Sequence, residues 1–310
     1  PMGSPSFLER AQALLRVRNQ LARECLAELL AVFVLIVSGA CRRAGAGRGA
    51  VGALGVLGAP LARGYSRSPR TLCSQPRSLA GAHLNPAFSL AMCLLEQFPW
   101  WKFPIFMAVQ TFGAFISSAA VYAVHYDAIW HYSNGTLTTS GPRETASIFA
   151  TYPADYVSIT NGFVDQVIGT AVLIVGLLAI MDTRNKAVPK GLEPVVVALL
   201  VLSIEVSMGS NCGCPMNPAR DFGPRLFTYV AGWGAEVFSR GNGWWWVPVV
   251  APLLGSVVGF AVYQLFVALH HPPEDGAPRA EQNSLVFVGT ALTEMSPGEK
   301  DAAGILPQKK

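Results

Sequence analysis

Charge is scarce in this chain. Only 14% of its 310 residues are Asp, Glu, Lys or Arg, against roughly a quarter in an ordinary soluble domain, while 51% are hydrophobic. That balance excludes a soluble interaction module and describes a chain built mostly to face lipid. The net charge of +4 is small for the length and no basic face carries interleaved aromatics, so nucleic acid is excluded as a partner. Metal-ligand spacing is missing too. Cys25, Cys41, Cys73, Cys93, Cys212 and Cys214 contain no CxxC pair and have no histidine cluster beside them, so no metal or cofactor is expected and buried thiols suit most of them better. Nucleophile, base and orienting group cannot be assembled, which argues against an enzyme. Cleavable-signal features are absent before the first apolar block; Arg10, Arg16, Arg18 and Arg23 lead into it, so it is expected to remain as an anchor.

What the chain has instead is long apolar blocks, at 21–40, 104–125, 162–181, 192–210 and 244–269. Each is near the ~20 residues that bridge ~30 Å of hydrocarbon as a helix. Arginines before the first block place the N-terminus in the cytoplasm; Arg184, Lys186 and Lys190 do the same for 182–191. The polar stretch 126–160 holds the sequon Asn134-Gly135-Thr136 and is expected outside, with Asn134 a glycosylation candidate. Trp100, Trp101 and Trp244 to Trp246 fall at block ends, where an aromatic belt belongs.

Five crossings do not close this topology. Reaching a cytoplasmic start for 104–125 requires a second span within 41–80, yet that stretch carries Arg42, Arg43, Arg48, Arg63, Arg67, Arg70 and Arg77. Its longest uncharged run, 49–62, would reach only ~21 Å as a helix, and Gly49, Gly52, Gly55, Gly58 and Pro60 all disfavour helix. The expected organisation is a cytoplasmic N-terminus at 1–20, a membrane domain at 21–271 with an atypical Arg/Gly-rich stretch at 41–80, and a disordered cytoplasmic tail at 272–310.

Two short segments repeat one pattern, one in each half: Asn85-Pro86-Ala87 and Asn217-Pro218-Ala219. Asn caps a helix, Pro fits the first turn without losing a donor, and Ala continues it, so each box is expected to open a half-length helix. A helix start inside a membrane is tolerated only where its irregular backbone lines protein or a watery cavity. Two starts meeting at the midplane would each place about half a positive charge there. The Asn amides would add neutral donors, so a hydroxyl or a water could be held while a cation is repelled.

With Gly81-Ala82-His83-Leu84 before the first box and Arg220-Asp221-Phe222-Gly223-Pro224-Arg225 after the second, the chain resembles the aquaporin family (major intrinsic proteins). Asp221, Arg225 and the Pro252-Leu253 pair are similar to its glycerol-conducting branch. The resemblance covers 10–40 and 80–272. It implies an all-α membrane protein, an inverted repeat of six spans, the second degenerate here, and two re-entrant half-helices. It also implies a homotetramer in the plasma membrane with both termini cytoplasmic, and passive flux of glycerol and water, with urea a further candidate. In such a channel Arg220 matches the filter arginine, whose fixed fork of donors suits glycerol hydroxyls and repels cations. Cys214 occupies the neighbouring filter position. Glu205 stands where the family usually has Gly; inside an apolar block an acid is a functional candidate, and it could pair with Arg220 and narrow the passage or swing aside. Glu28 and Gln166 match residues that accept hydrogen bonds from re-entrant backbone. His83 could change charge between about pH 5 and 8 and gate the passage, or stay neutral and held by backbone.

Two other readings fit parts of the sequence. A coupled carrier with broken helices needs intramembrane acids, of which only Glu205 is offered. A non-conducting relic, or a mispredicted gene product with its second span replaced by unrelated coding sequence, is favoured by both 41–80 and Glu205.

Overall fold

The computed structural model describes residues 16–45, 83–185, 188–189 and 191–271. Most of 41–80, where the second crossing is expected, and the tail from 272 lie outside the described residues. Of the described residues, those up to Ala268 belong to one compact unit and 269–271 fall outside it.

Among the described residues every regular element is a helix. In chain order they are α1 (Gln20–Gly45), α2 (Pro86–Leu94), α3 (Phe103–Val124), α4 (Tyr126–Tyr132), α5 (Ile159–Met181), α6 (Glu193–Cys212), α7 (Pro218–Thr228), α8 (Glu236–Gly243) and α9 (Val247–Phe266). Five stretches are long and apolar enough to cross a membrane: Gln20–Cys41, Trp100–Val124, Ile159–Met181, Glu193–Cys212 and Glu236–His270. They coincide with the five blocks read from sequence, α1 continuing five residues past residue 40 into the Arg/Gly-rich stretch. Helix starts follow local chemistry. Proline lies in the first turn of α3, α6 and α9, where its missing N–H is not needed, and Ser158 caps α5 by accepting from the Asn161 N–H at 3.2 Å. Gly213, with φ of 71°, ends α6 in the left-handed conformation that glycine tolerates.

Two helix pairs form the frame, α1 with α3 and α5 with α9, and each half-helix packs against the pair from the opposite half. Thus α2 lies on α9 and α7 lies on α3. Small residues permit these approaches. A Cβ on Gly255 of α9 would stand 2.5 Å from the Val167 carbonyl oxygen of α5, and one on Gly259 would stand 2.6 Å from that of Ala171. Four residues apart, these glycines form the small-xxx-small seam by which membrane helices come close without a hydrophobic driving force. Gly223 does the same for α7, since its Cβ would lie 2.4 Å from the Thr111 carbonyl oxygen.

Two expectations change. Trp100 and Trp101 are exposed at 56% and 60%, and Trp245 and Trp246 are partly so, as belt residues should be, but Trp244 is wholly buried. Its ring fills the space over Gly162, among Cys212, Val247 and Ala251. A run of three tryptophans at a helix start cannot all face outward, and the first turns inward. The stretch 126–160, read as a polar loop, contains α4 and then folds onto an aromatic cluster. Phe149 packs edge-on to Trp233 at 5.5 Å, with Tyr122 and Phe227 beside them, and Trp233 Nε1 donates to Thr145 Oγ1 at 3.1 Å. The turn after α5 is tied down as well: Arg184 donates three bonds to Asp182, one from its backbone N–H and two from its guanidinium, and Tyr263 Oη of α9 donates to the same carboxylate at 2.9 Å.

The Gly255 seam predicts that Gly255→Ala lowers stability by about 1–3 kcal/mol, the usual result of forcing extra volume into a packed contact, and that Gly255→Leu prevents assembly; thermal unfolding in detergent measures both. The Arg184 hydrogen bonds hold the Asp182 carboxyl down at about 2. A lowered folded value means its stabilisation is complete above the unfolded value of about 4 and is lost as pH falls through about 2. Asp182→Asn should flatten that part of an acid-unfolding profile.

Candidate functional site

The two boxes meet tip to tip. Asn85 caps α2, its Oδ1 accepting from the Ala87 N–H at 2.8 Å; Asn217 caps α7, its Oδ1 accepting from the N–H groups of Ala219 and Arg220 at 3.1 and 3.2 Å. Pro86 and Pro218 occupy the first turns. Across the junction the amides exchange bonds. Asn85 Nδ2 donates to the Met216 carbonyl at 3.0 Å, and Asn217 Nδ2 donates to the Leu84 carbonyl at 2.7 Å. Each acceptor belongs to the residue just before the opposite box. An amide carries two N–H groups, so each Asn spends one on this cross-link and keeps one to offer. Leu84 has φ of 64°, a strained value for a leucine that turns its carbonyl across the junction.

Glu28 of α1, buried, collects the first loop: the His83 N–H donates to Oε1, and the Leu84 N–H and Gln110 Nε2 each donate to Oε2 at 2.9 Å. His83 Nδ1 lies 3.0 Å from Ser89 Oγ, and its ring packs among Phe88, Phe98 and Phe106. Gln166 is also buried, on α5, but its amide N–H goes to its neighbour Asp165 at 2.7 Å, and no described hydrogen bond joins it to the second loop. Pro215 has no N–H to donate there, so the two loops are not matched in their demand for acceptors. Ser256 of α9, which sequence reasoning passed over, donates to the Ala87 carbonyl at 2.6 Å and fixes the first box from the other half. A hydroxyl beside a glycine seam was the only available signal.

Arg220 sits in the first turn of α7 and donates through Nη1 to the Phe149 carbonyl at 3.3 Å, so the aromatic cluster positions the guanidinium. Cys214 is buried, with Sγ 3.7 Å from the Ile204 carbonyl, and both Glu205 and Arg220 lie within electrostatic range of it. Glu205, on α6, is half-buried. These three therefore stand in one neighbourhood above the second box.

Asp221 and Arg225 do something different: both side chains are 0% exposed and bond to each other one helical turn apart at 2.8 Å. The Thr151 N–H donates to Asp221 Oδ2 at 2.7 Å and the Thr151 hydroxyl donates to the same oxygen. Arg225 donates to the carbonyls of Val237 and Thr151 at 2.7 and 2.6 Å. Every charge in the pair is thus answered, and α7 is bolted to the segment carrying Phe149. Tyr152 lies between the guanidinium groups of Arg225 and Arg240, at 4.7 and 4.2 Å, and burial pushes its phenol up to about 12, so it stays neutral. Pro252 is buried within α9 and Leu253 is half-buried beside it. Asn134 is exposed on a turn after α4, at φ of 53°.

Removing one partner of a buried ion pair strands the other. Asp221→Ala should therefore lower stability by roughly 3–5 kcal/mol in detergent unfolding, and more than Asp182→Asn does at neutral pH.

The chain matches the family model described as major intrinsic protein over residues 16–263, through the Arg/Gly-rich stretch. It is 58% identical to human aquaporin-10 over 83% of this chain and 85% of that one. Human aquaporin-9 is 43% identical over 90% of this chain and 92% of its own length. Among solved structures, the aquaglyceroporin of Plasmodium falciparum superposes with a TM-score of 0.67 at 30% identity, covering 81% of this chain and 98% of that one. With two half-helices joined by their caps inside an all-helical frame, the chain belongs to the major intrinsic protein family, whose members are membrane channels and not enzymes.

Proposed function

We propose that the chain is a passive channel for glycerol and water, with urea as a third permeant, and that it excludes protons and other cations at the paired boxes and at Arg220. The crossed bonds between Asn85 and Met216 and between Asn217 and Leu84 carry this reading. They hold two positive helix ends together and leave one amide N–H on each Asn for a passing hydroxyl. A neutral permeant exchanges hydrogen bonds with these donors, whereas a cation meets two aligned dipoles and a guanidinium. Glu28 and Ser256 hold the first box in place, and Asp221 with Arg225 holds the segment that positions Arg220. Cytoplasmic termini with Asn134 outside fit the distribution of arginines and the exposed sequon, and the family resemblance supports a homotetramer in the plasma membrane.

A second reading, a non-conducting member of the family, is favoured by Glu205. A half-buried acid in electrostatic range of Cys214, whose thiol also feels Arg220, brings bulk to the neighbourhood where the permeant would meet the guanidinium.

Vesicle swelling decides between them. Vesicles holding the full chain should shrink and reswell in a glycerol gradient faster than empty ones; no difference would sink the channel reading for this sequence. Glu205→Gly should raise glycerol flux on the order of tenfold, equivalent to removing about 1.4 kcal/mol of barrier. Arg220→Ala should let cations leak. His83 is the candidate for pH-dependent flux, and an unchanged profile for His83→Ala from about pH 5 to 8 would remove it from that role.

A further inference from the structure

One end of the molecule carries charge that neither the boxes nor the filter uses. Arg16, Arg18 and Arg23 are exposed around the start of α1 and form no ion pair among the described residues. Lys102, just before α3, is joined to Glu24 at 2.7 Å, which sets the starts of α1 and α3 side by side. Glu24 also accepts from Gln20 at 2.9 Å, so its charge is already shared. Neither helix has an acid in its first turn. Helix starts favour anions, and here two of them stand together with four cationic side chains and one carboxylate. Among these side chains positive charge is in excess.

The surroundings identify what would answer it. Trp100 and Trp101 are exposed at the same level, with Lys102 Nζ 5.6 Å from the Trp101 ring, which puts this end at a membrane–water interface. Arg23, Leu26 and Leu30 follow one another at helical spacing, and all three are exposed. A ligand bound there meets a guanidinium first and an apolar stripe directly below it.

We propose that this end is a binding site for anionic phospholipid, the headgroup held by Arg16, Arg18 and Arg23 and the acyl chains lying along Leu26 and Leu30. The phosphate answers the helix starts, and the chains continue where a free anion would end. Clustered arginines beside membrane helices act on anionic lipid in this way.

The test uses the full chain in detergent, with dioleoyl phosphatidylserine, dioleoyl phosphatidylcholine, water-soluble glycerophosphoserine and inorganic phosphate as probes. Retention in native mass spectrometry and the shift in unfolding temperature are read together. Phosphatidylserine should bind and stabilise, phosphatidylcholine should not, and rising ionic strength should weaken the effect. The triple variant Arg16→Gln, Arg18→Gln, Arg23→Gln should bind phosphatidylserine on the order of 100-fold less tightly, at roughly fivefold per arginine. Unfolding of the variant without lipid shows whether it is folded, and the ionic-strength series on the unaltered chain tests the site independently of any substitution. Equal binding by variant and unaltered chain would overturn the site. Equal stabilisation by inorganic phosphate or glycerophosphoserine would overturn the lipid and leave a free-anion site. None of these readings involves glycerol flux, so they stand or fall apart from the channel proposal.

Discussion

A helix that begins in the middle of a membrane exposes backbone N–H groups where lipid offers them no partner, and the residues around the two boxes answer that demand. Each Asn satisfies its own helix through Oδ1 and then reaches over to the other loop through Nδ2. Breaking one of these links leaves a carbonyl and an amide unpaired in low dielectric, where each is worth far more than in water. The junction is therefore held by bonds whose loss would be felt by both halves at once. Glu28 adds a carboxylate beneath the first loop, an expensive group to bury that is used up by three donors.

Outside the junction the frame combines clusters of large apolar side chains with close backbone approach. The seam of Gly255 and Gly259 against α5, and the seating of Gly223 on α3, replace side-chain volume with contact between helices. One buried charge pair is closed off completely. Asp221 and Arg225 do this by bonding to each other and to Thr151 and Val237, and in doing so they determine where Phe149 presents its carbonyl to Arg220. Asp221 and Arg225, two of the residues that resemble glycerol-branch markers, thus brace the segment that holds the guanidinium.

The spans were legible because lipid leaves a chain little choice: about twenty apolar residues in a row have one use. The half-helices were legible because Asn, Pro and Ala each fit a different position of a helix start. Partners that arrive from distant sequence were not. Nothing near Asp221 announces Thr151, and nothing near Ala87 announces Ser256. Trp244 is chemically identical to its two neighbours, and only the small residue at 162, far away in sequence, makes room for it. Gln166 shows the opposite failure. Its position matches that of Glu28, yet the second loop carries Pro215 where the first carries an N–H donor at His83, and the side chain turns to Asp165 instead. Position in a repeat reports ancestry more reliably than it reports bonding.

The crossed seating of the half-helices also orders the making of the molecule. Because α2 rests on α9, with Ser256 holding the Ala87 carbonyl and Met216 receiving the Asn85 amide, the first box has no finished environment when it leaves the ribosome. More than a hundred residues must follow before its partners exist.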